Sequence, residues 1–103
     1  MTPDISLELL NSALPGLRRL ADGSGIIHMG RAAIAGHLAR HLECSEERAL
    51  QVLRVLRSVN VVTGPHQGVE LPGGARVEQW ELLKPRVKIV MRGGYIEAID
   101  ERS

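Results

Sequence analysis

Phenylalanine is missing from this chain of 103 residues, and aromatic residues make up only 2% of it, as Trp80 and Tyr95. Any core must therefore be aliphatic. Cysteine occurs once, at Cys44, which excludes an internal disulfide and makes a reducing, cytoplasmic setting the expectation. No apolar run approaches the ~20 residues needed to span a bilayer, so no membrane partner is expected. The opening residues MTPDISLELL carry acid where a secretory leader would carry base. Neither sign of charge dominates: 13 Lys+Arg against 12 Asp+Glu leave a net charge of +1. That is too balanced to hold a polyanion by bulk charge, so nucleic-acid binding would need a local patch. There is no internal repeat and no low-complexity segment.

What is present fits a single globular domain, with 44% hydrophobic and 24% charged residues. Arginine supplies 11 of the 13 cations, which suits forked contacts to phosphate or guanine. GC-rich coding would produce the same bias. From Ile26 to His66 there are five Arg and three Glu, a local excess of +2 and a weak electrostatic footprint.

Periodicity organises the chain. Residues 4–22 predict a helix, capped by Asp4 or Ser6 and carrying Ile5, Leu9, Leu10, Ala13, Leu14, Leu17 and Leu20 on one face. Pro15-Gly16 interrupts it, as a kink or as the junction of two short helices. Ile26 to Met29 predict a short strand. Helices follow over 31–42, with Ile34, Ala35, Leu38 and Leu42 inward, and over 45–59. Ser45 caps the second of these, with Glu46 and Glu47 in its first turn. On it Ala49, Val52, Leu53, Leu56 and Val59 share one face, Glu47, Gln51, Arg54 and Ser58 the opposite one, and Leu50 and Val55 the edges. Asn60 is suited to end it in a left-handed conformation. Val61 to Gly64 predict a strand, Pro65 to Gly68 a turn, Val69 to Leu71 a short strand and Pro72 to Gly74 a second turn. Arg76 to Leu83 alternate as a strand. After Lys84-Pro85, Arg86 to Met91 alternate with Val87, Ile89 and Met91 on one face, Gly93-Gly94 makes a two-residue turn, and Tyr95 to Ile99 return. A hairpin of this kind is marginal alone and must dock on the domain or pair with another chain.

The pattern Ile34-Ala35, Leu38, Cys44-Ser45, Arg48-Ala49, Val52-Leu53, Leu56 and Asn60-Val61-Val62 resembles the winged helix-turn-helix superfamily. It is similar to the DNA-binding gamma domain of bacterial septal DNA translocases and to small bacterial transcriptional regulators. Residues 29–83 carry the likeness, with one residue more between Ile34 and Cys44 than in that gamma domain. The resemblance implies an α+β fold: a winged-helix domain over 1–83, its wing at 61–83, and a C-terminal β-hairpin extension over 84–103. It also implies that helix 45–59 reads double-stranded DNA through Ser45, Glu47, Arg48, Gln51, Arg54, Arg57 and Ser58, with His66, Gln67 and Arg76 of the wing on a neighbouring groove or phosphate. Arg forks onto guanine and Gln onto adenine, each discriminating by ~1–3 kcal/mol.

Other readings stand beside this one. Glu46-Glu47 repel phosphate, yet acids at a helix N-terminus also complement its dipole whatever the function. Arg40, Arg54 and Arg57 equally suit a solvated face. His37, His41 and Cys44, with His28 as a fourth group, have a spacing that zinc tolerates, but they match no zinc signature and Cys44 suits a buried turn position. No metal, cofactor or catalytic residue is expected: Ser24, Ser45 and Cys44 lack a nucleophile setting, and the glycine pairs are too sparse for a phosphate loop. The expectation is a DNA-binding regulator or accessory factor, homodimeric through the C-terminal hairpin. The alternative is a protein-interaction module on the same scaffold, such as a small phage or mobile-element factor that does not bind DNA, using a free hairpin edge to add a strand.

Overall fold

A computed structural model describes residues 5–101, so Asp4, one of the two expected caps, lies outside the described residues. The elements follow as α1 (Leu7–Leu20), β1 (Ile26–Ile27), α2 (Arg31–Leu42), α3 (Glu46–Ser58), β2 (Val62–Glu70), β3 (Arg76–Leu82), β4 (Val87–Arg92) and β5 (Tyr95–Asp100). Over the described residues the fold is α+β, with three helices and two antiparallel sheets ordered β1-β3-β2 and β4-β5.

Capping sets the helix starts. Ser6 accepts from the Leu9 N–H at 3.1 Å and Ser45 from the Arg48 N–H at 3.1 Å, satisfying donors that have no partner within their own helix. Asn60 takes φ 63° and ends α3 as expected. Glu43 does the same for α2 at φ 55°, an end that glycine or asparagine usually marks. The buried stripes are Leu10, Ala13, Leu14 and Leu17 of α1, Ile34, Ala35, Leu38 and Ala39 of α2, and Ala49, Val52, Leu53 and Leu56 of α3. They converge with Ile27, Val61, Val62, Trp80 and Leu82 in one core. Val59, expected on the inner face of α3, is its half-buried C-cap.

Two expectations are corrected. Of the two readings of Pro15-Gly16, the junction of two short helices is set aside, because α1 passes through both residues. His41 of α2 lies over Gly16, and its Nε2 donates to the Ser12 carbonyl at 2.9 Å, so the pair marks where the two helices pack closely. Pro65 to Gly68 is not a turn. It belongs to one long β2, whose register against β3 slips between Thr63 and His66 and again between Gln67 and Glu70. Each slip places one extra residue on β2, and each contains a glycine, as a β-bulge does. On the alternating face of β4, Val87 and Ile89 are buried and Met91 is 55% exposed.

The second hairpin docks on α1. The Asn11 side-chain amide donates to the Ile89 carbonyl at 2.9 Å, and its oxygen accepts from the Ile89 N–H at 2.8 Å, so one side chain pairs with β4 as a neighbouring strand would. Arg18 donates to the Pro85 carbonyl at 2.9 Å, and Val87 and Ile89 enter the common core. The face of the hairpin that carries Val87 and Ile89 is thus turned onto α1 and the common core. Asn11→Ala should cost about 1–3 kcal/mol, because two partly buried backbone groups lose their partner. A lowered denaturant midpoint with faster amide exchange at Ile89 checks this.

The loop before β1 has its own fastening. Asp22 Oδ1 accepts from the backbone N–H groups of Ser24 (2.8 Å) and Ile26 (3.0 Å), and Oδ2 meets His28 Nε2 at 2.7 Å. His28 Nδ1 meets Gln79 Nε2 at 3.2 Å, so the tautomer protonated on Nε2 satisfies both contacts and ties β1 to β3. These bonds, that of His28 first, lower the Asp22 carboxyl from 3.8 to about 2. A carboxyl depressed in the folded state stabilises the fold fully above its unfolded pKa, and that contribution is lost as pH falls through the folded value. Between pH 3.8 and about 2, the wild type should therefore lose more stability than Asp22→Asn. Chemical denaturation across that window tests it, and parallel curves would contradict it.

Candidate nucleic-acid interface

The candidate interface is the outward side of α3 beside the β2–β3 hairpin. Helical spacing buries Ala49, Val52, Leu53 and Leu56 and turns Glu47, Arg54, Arg57 and Ser58 to solvent. Gln51, placed outward by the same spacing, is half-buried, as are Arg48, Leu50 and Val55. Glu46 leans back toward α2, with Oε1 3.5 Å from where a Cβ on Gly36 would stand. Of the two acids that oppose phosphate binding, Glu46 therefore lies against the neighbouring helix and Glu47 stands at the leading end of the exposed face.

Several expected contact residues are engaged within the protein. Ser45 is the cap of α3. The Ser58 hydroxyl donates to the Val55 carbonyl at 2.6 Å. On the hairpin, Arg76 donates to Gln67 Oε1 at 2.7 Å, so these two present a joined amide–guanidinium unit. His66 is exposed on β2. The hairpin end is exposed from Leu71 to Arg76.

Arg54 and Arg57 are brought together on one cleft with Arg31 of α2, alongside Leu50, Leu53 and Trp80. Arg31 and Trp80 were not among the residues expected at the site. Arg31 carried a usable signal: it opens a helix whose first turn holds no acid, at the end of the dipole that disfavours a cation. Trp80 carried none, because strand alternation places it on a face and says nothing of a ligand.

His37, His41 and Cys44 do not converge. His37 contacts Arg40 and His41 contacts the Ser12 carbonyl, and among the described residues no group of three His, Cys, Asp or Glu is placed to hold a metal ion. No described helix is long and apolar enough to cross a membrane. No protein-family model, curated protein or solved structure matches the chain.

Proposed function

We propose that the chain is a winged helix-turn-helix protein that binds double-stranded DNA as a regulator or accessory factor, with α3 in the major groove and the β2–β3 hairpin as its wing. One observation carries the reading: the exposed face of α3, with Arg54 and Arg57, stands beside a long two-stranded hairpin bearing His66, Gln67 and Arg76. The element order α1-β1-α2-α3-β2-β3 and the sheet order β1-β3-β2 support it, since a winged helix needs a first strand closing on the far strand of the wing. Near-neutral net charge fits a protein that binds through a local patch.

The test is fluorescence anisotropy of labelled duplexes drawn from mixed genomic fragments, at two salt concentrations. Binding that weakens as salt rises is expected, because neutralised phosphates release counterions. Absence of binding at the lower salt concentration would overturn the proposal.

A second reading, a protein-interaction module, is favoured by Met91 and Tyr95, which are 55% and 79% exposed at the turn end of β4–β5. The same end is where a second copy would pair. Because Val87 and Ile89 are core, deleting the hairpin would unfold the domain, so the informative variant is Met91→Ser with Tyr95→Ser. Under this reading it dissociates a dimer in sedimentation. Unchanged mass would remove the hairpin as the interface.

A further inference from the structure

We infer that the cleft between α2, α3 and β3 is a phosphate-binding site. Its walls are Arg31, Arg54, Arg57, Leu50, Leu53 and Trp80, and its volume is ≈ 120 Å³. A single water needs roughly 10–15 Å³ of such space, so the cleft has room for a group of several atoms.

Four features of this cleft call for the same kind of ligand. First, its lining contains three guanidinium groups and no carboxylate. Among the described residues none of the three arginines has a carboxylate within ion-pair distance. Like charges gathered on one small concavity repel each other unless an anion lies between them. Second, α2 begins at the cleft with Gly30 as its N-cap, which offers no side-chain acceptor, and no acid lies in its first turn. The positive end of its dipole therefore bears on the cleft through Arg31, while Gly30, Ala32 and Ala33 share a neighbouring lobe with Glu78. Third, Arg31 adds a cation at that same end, against the usual preference of helix termini. Fourth, and independent of the helix, Trp80 is 2% exposed and its indole Nε1–H has no acceptor among the described residues. A buried donor left unsatisfied costs free energy that an incoming oxyanion removes.

A phosphate fits these features: its oxygens accept from the forked guanidinium groups and offer an acceptor to the indole N–H, while Leu50 and Leu53 form the remaining wall. The outer lobe, around Gly30, Ala32 and Ala33, also holds Glu78. That carboxylate marks the limit of the anion site and directs the phosphate inward, toward Trp80. The phosphate comes either from a small phosphorylated ligand or from a duplex backbone. In the second case the site deepens the DNA-binding reading, and in the first it stands without it.

Trp80 is the only tryptophan, so its indole N–H gives a single resonance that reports directly on the cleft. The full chain, labelled with ¹⁵N, is titrated with sodium phosphate, with sodium chloride at equal ionic strength, and with a short duplex whose binding is followed separately by anisotropy. A saturable downfield shift of the indole proton with phosphate but not with chloride is expected, weakened roughly tenfold in Arg31→Gln or Arg57→Gln and unaltered in Lys88→Gln on β4. A shift seen only with duplex assigns the phosphate to the nucleic-acid backbone. The proposal is overturned if neither phosphate nor duplex moves the resonance, or if the shift survives undiminished in Arg31→Gln and Arg57→Gln. An unmoved indole while anisotropy shows the duplex bound removes this site and leaves the DNA-binding reading intact. A phosphate response without duplex binding does the reverse.

Discussion

Gly64→Ala is expected to be among the most damaging single-methyl changes in the described residues. Gly64 takes φ +152°, and a Cβ there would lie 2.6 Å from Trp80 Cδ2 and 2.9 Å from two further atoms of the ring. Overpacking a filled core costs about 1–3 kcal/mol, and forcing an L-residue into a positive φ adds about 1–2 kcal/mol. The sum, about 2–5 kcal/mol, should lower the thermal midpoint by roughly 10 °C or more in a domain of this size. Gly23→Ala is the matched control, since nothing lies within 4 Å of its would-be Cβ, and it should stay within about 0.5 kcal/mol of wild type. The glycine is needed because the bulged β2 crosses the face of the indole. Gly68 serves the second bulge in the same way, where a Cβ would collide with the Val77 carbonyl oxygen. Equal midpoints for Gly64→Ala and Gly23→Ala would refute this account of how β2 is shaped.

Arg54→Ala is expected to give the largest functional loss. Arg54 is exposed on α3 and shares its cleft with Arg31 and Arg57, so it can fork onto a guanine edge or a phosphate. Losing such a contact costs about 1–3 kcal/mol, roughly 5- to 150-fold in affinity for the preferred duplex. The thermal midpoint should barely move, because the side chain is exposed. Gln51→Ala should act in the same direction, but Gln51 is half-buried, so part of its effect will appear as stability. Competition binding against a random-sequence duplex separates the two roles open to Arg54. A base-reading arginine loses discrimination, whereas a phosphate-binding one loses affinity for both duplexes alike.

The legible parts of the fold were those set by periodicity and by local hydrogen bonding. The inner stripes of the helices, the Ser45 cap, the Asn60 stop, the alternating strand from Arg76, and the Gly93-Gly94 turn all follow from rules that span a few residues. The parts that stayed hidden depend on tertiary partners. Pro65 and Gly68 look like a turn until β3 is beside them, and then they are places where an extra residue can be absorbed. Pro15-Gly16 looks like a break until His41 is packed over it. Asn11 is one polar residue on an otherwise ordinary helix, and only its position opposite Ile89 makes it the clasp of the second hairpin.

The candidate site divides in the same manner. Helical geometry alone puts Glu47, Gln51, Arg54 and Ser58 outward, whereas in the fold Gln51 is half-buried and Arg57 is exposed. It cannot show that Ser58 and Ser45 spend their side chains inside the helix, or that Gln67 and Arg76 hold each other. Nor can it bring Arg31 from one helix to Arg54 and Arg57 of the next.

The account stands most directly on where a duplex touches the protein, and amide chemical-shift mapping of the full chain with a bound duplex measures that. Shifts concentrated on residues 47, 51, 54 and 58 of α3 and on residues 66–76 of the β2–β3 hairpin are predicted. Shifts confined to β4–β5 around Met91 and Tyr95, or none at duplex concentrations that saturate the protein, would contradict it.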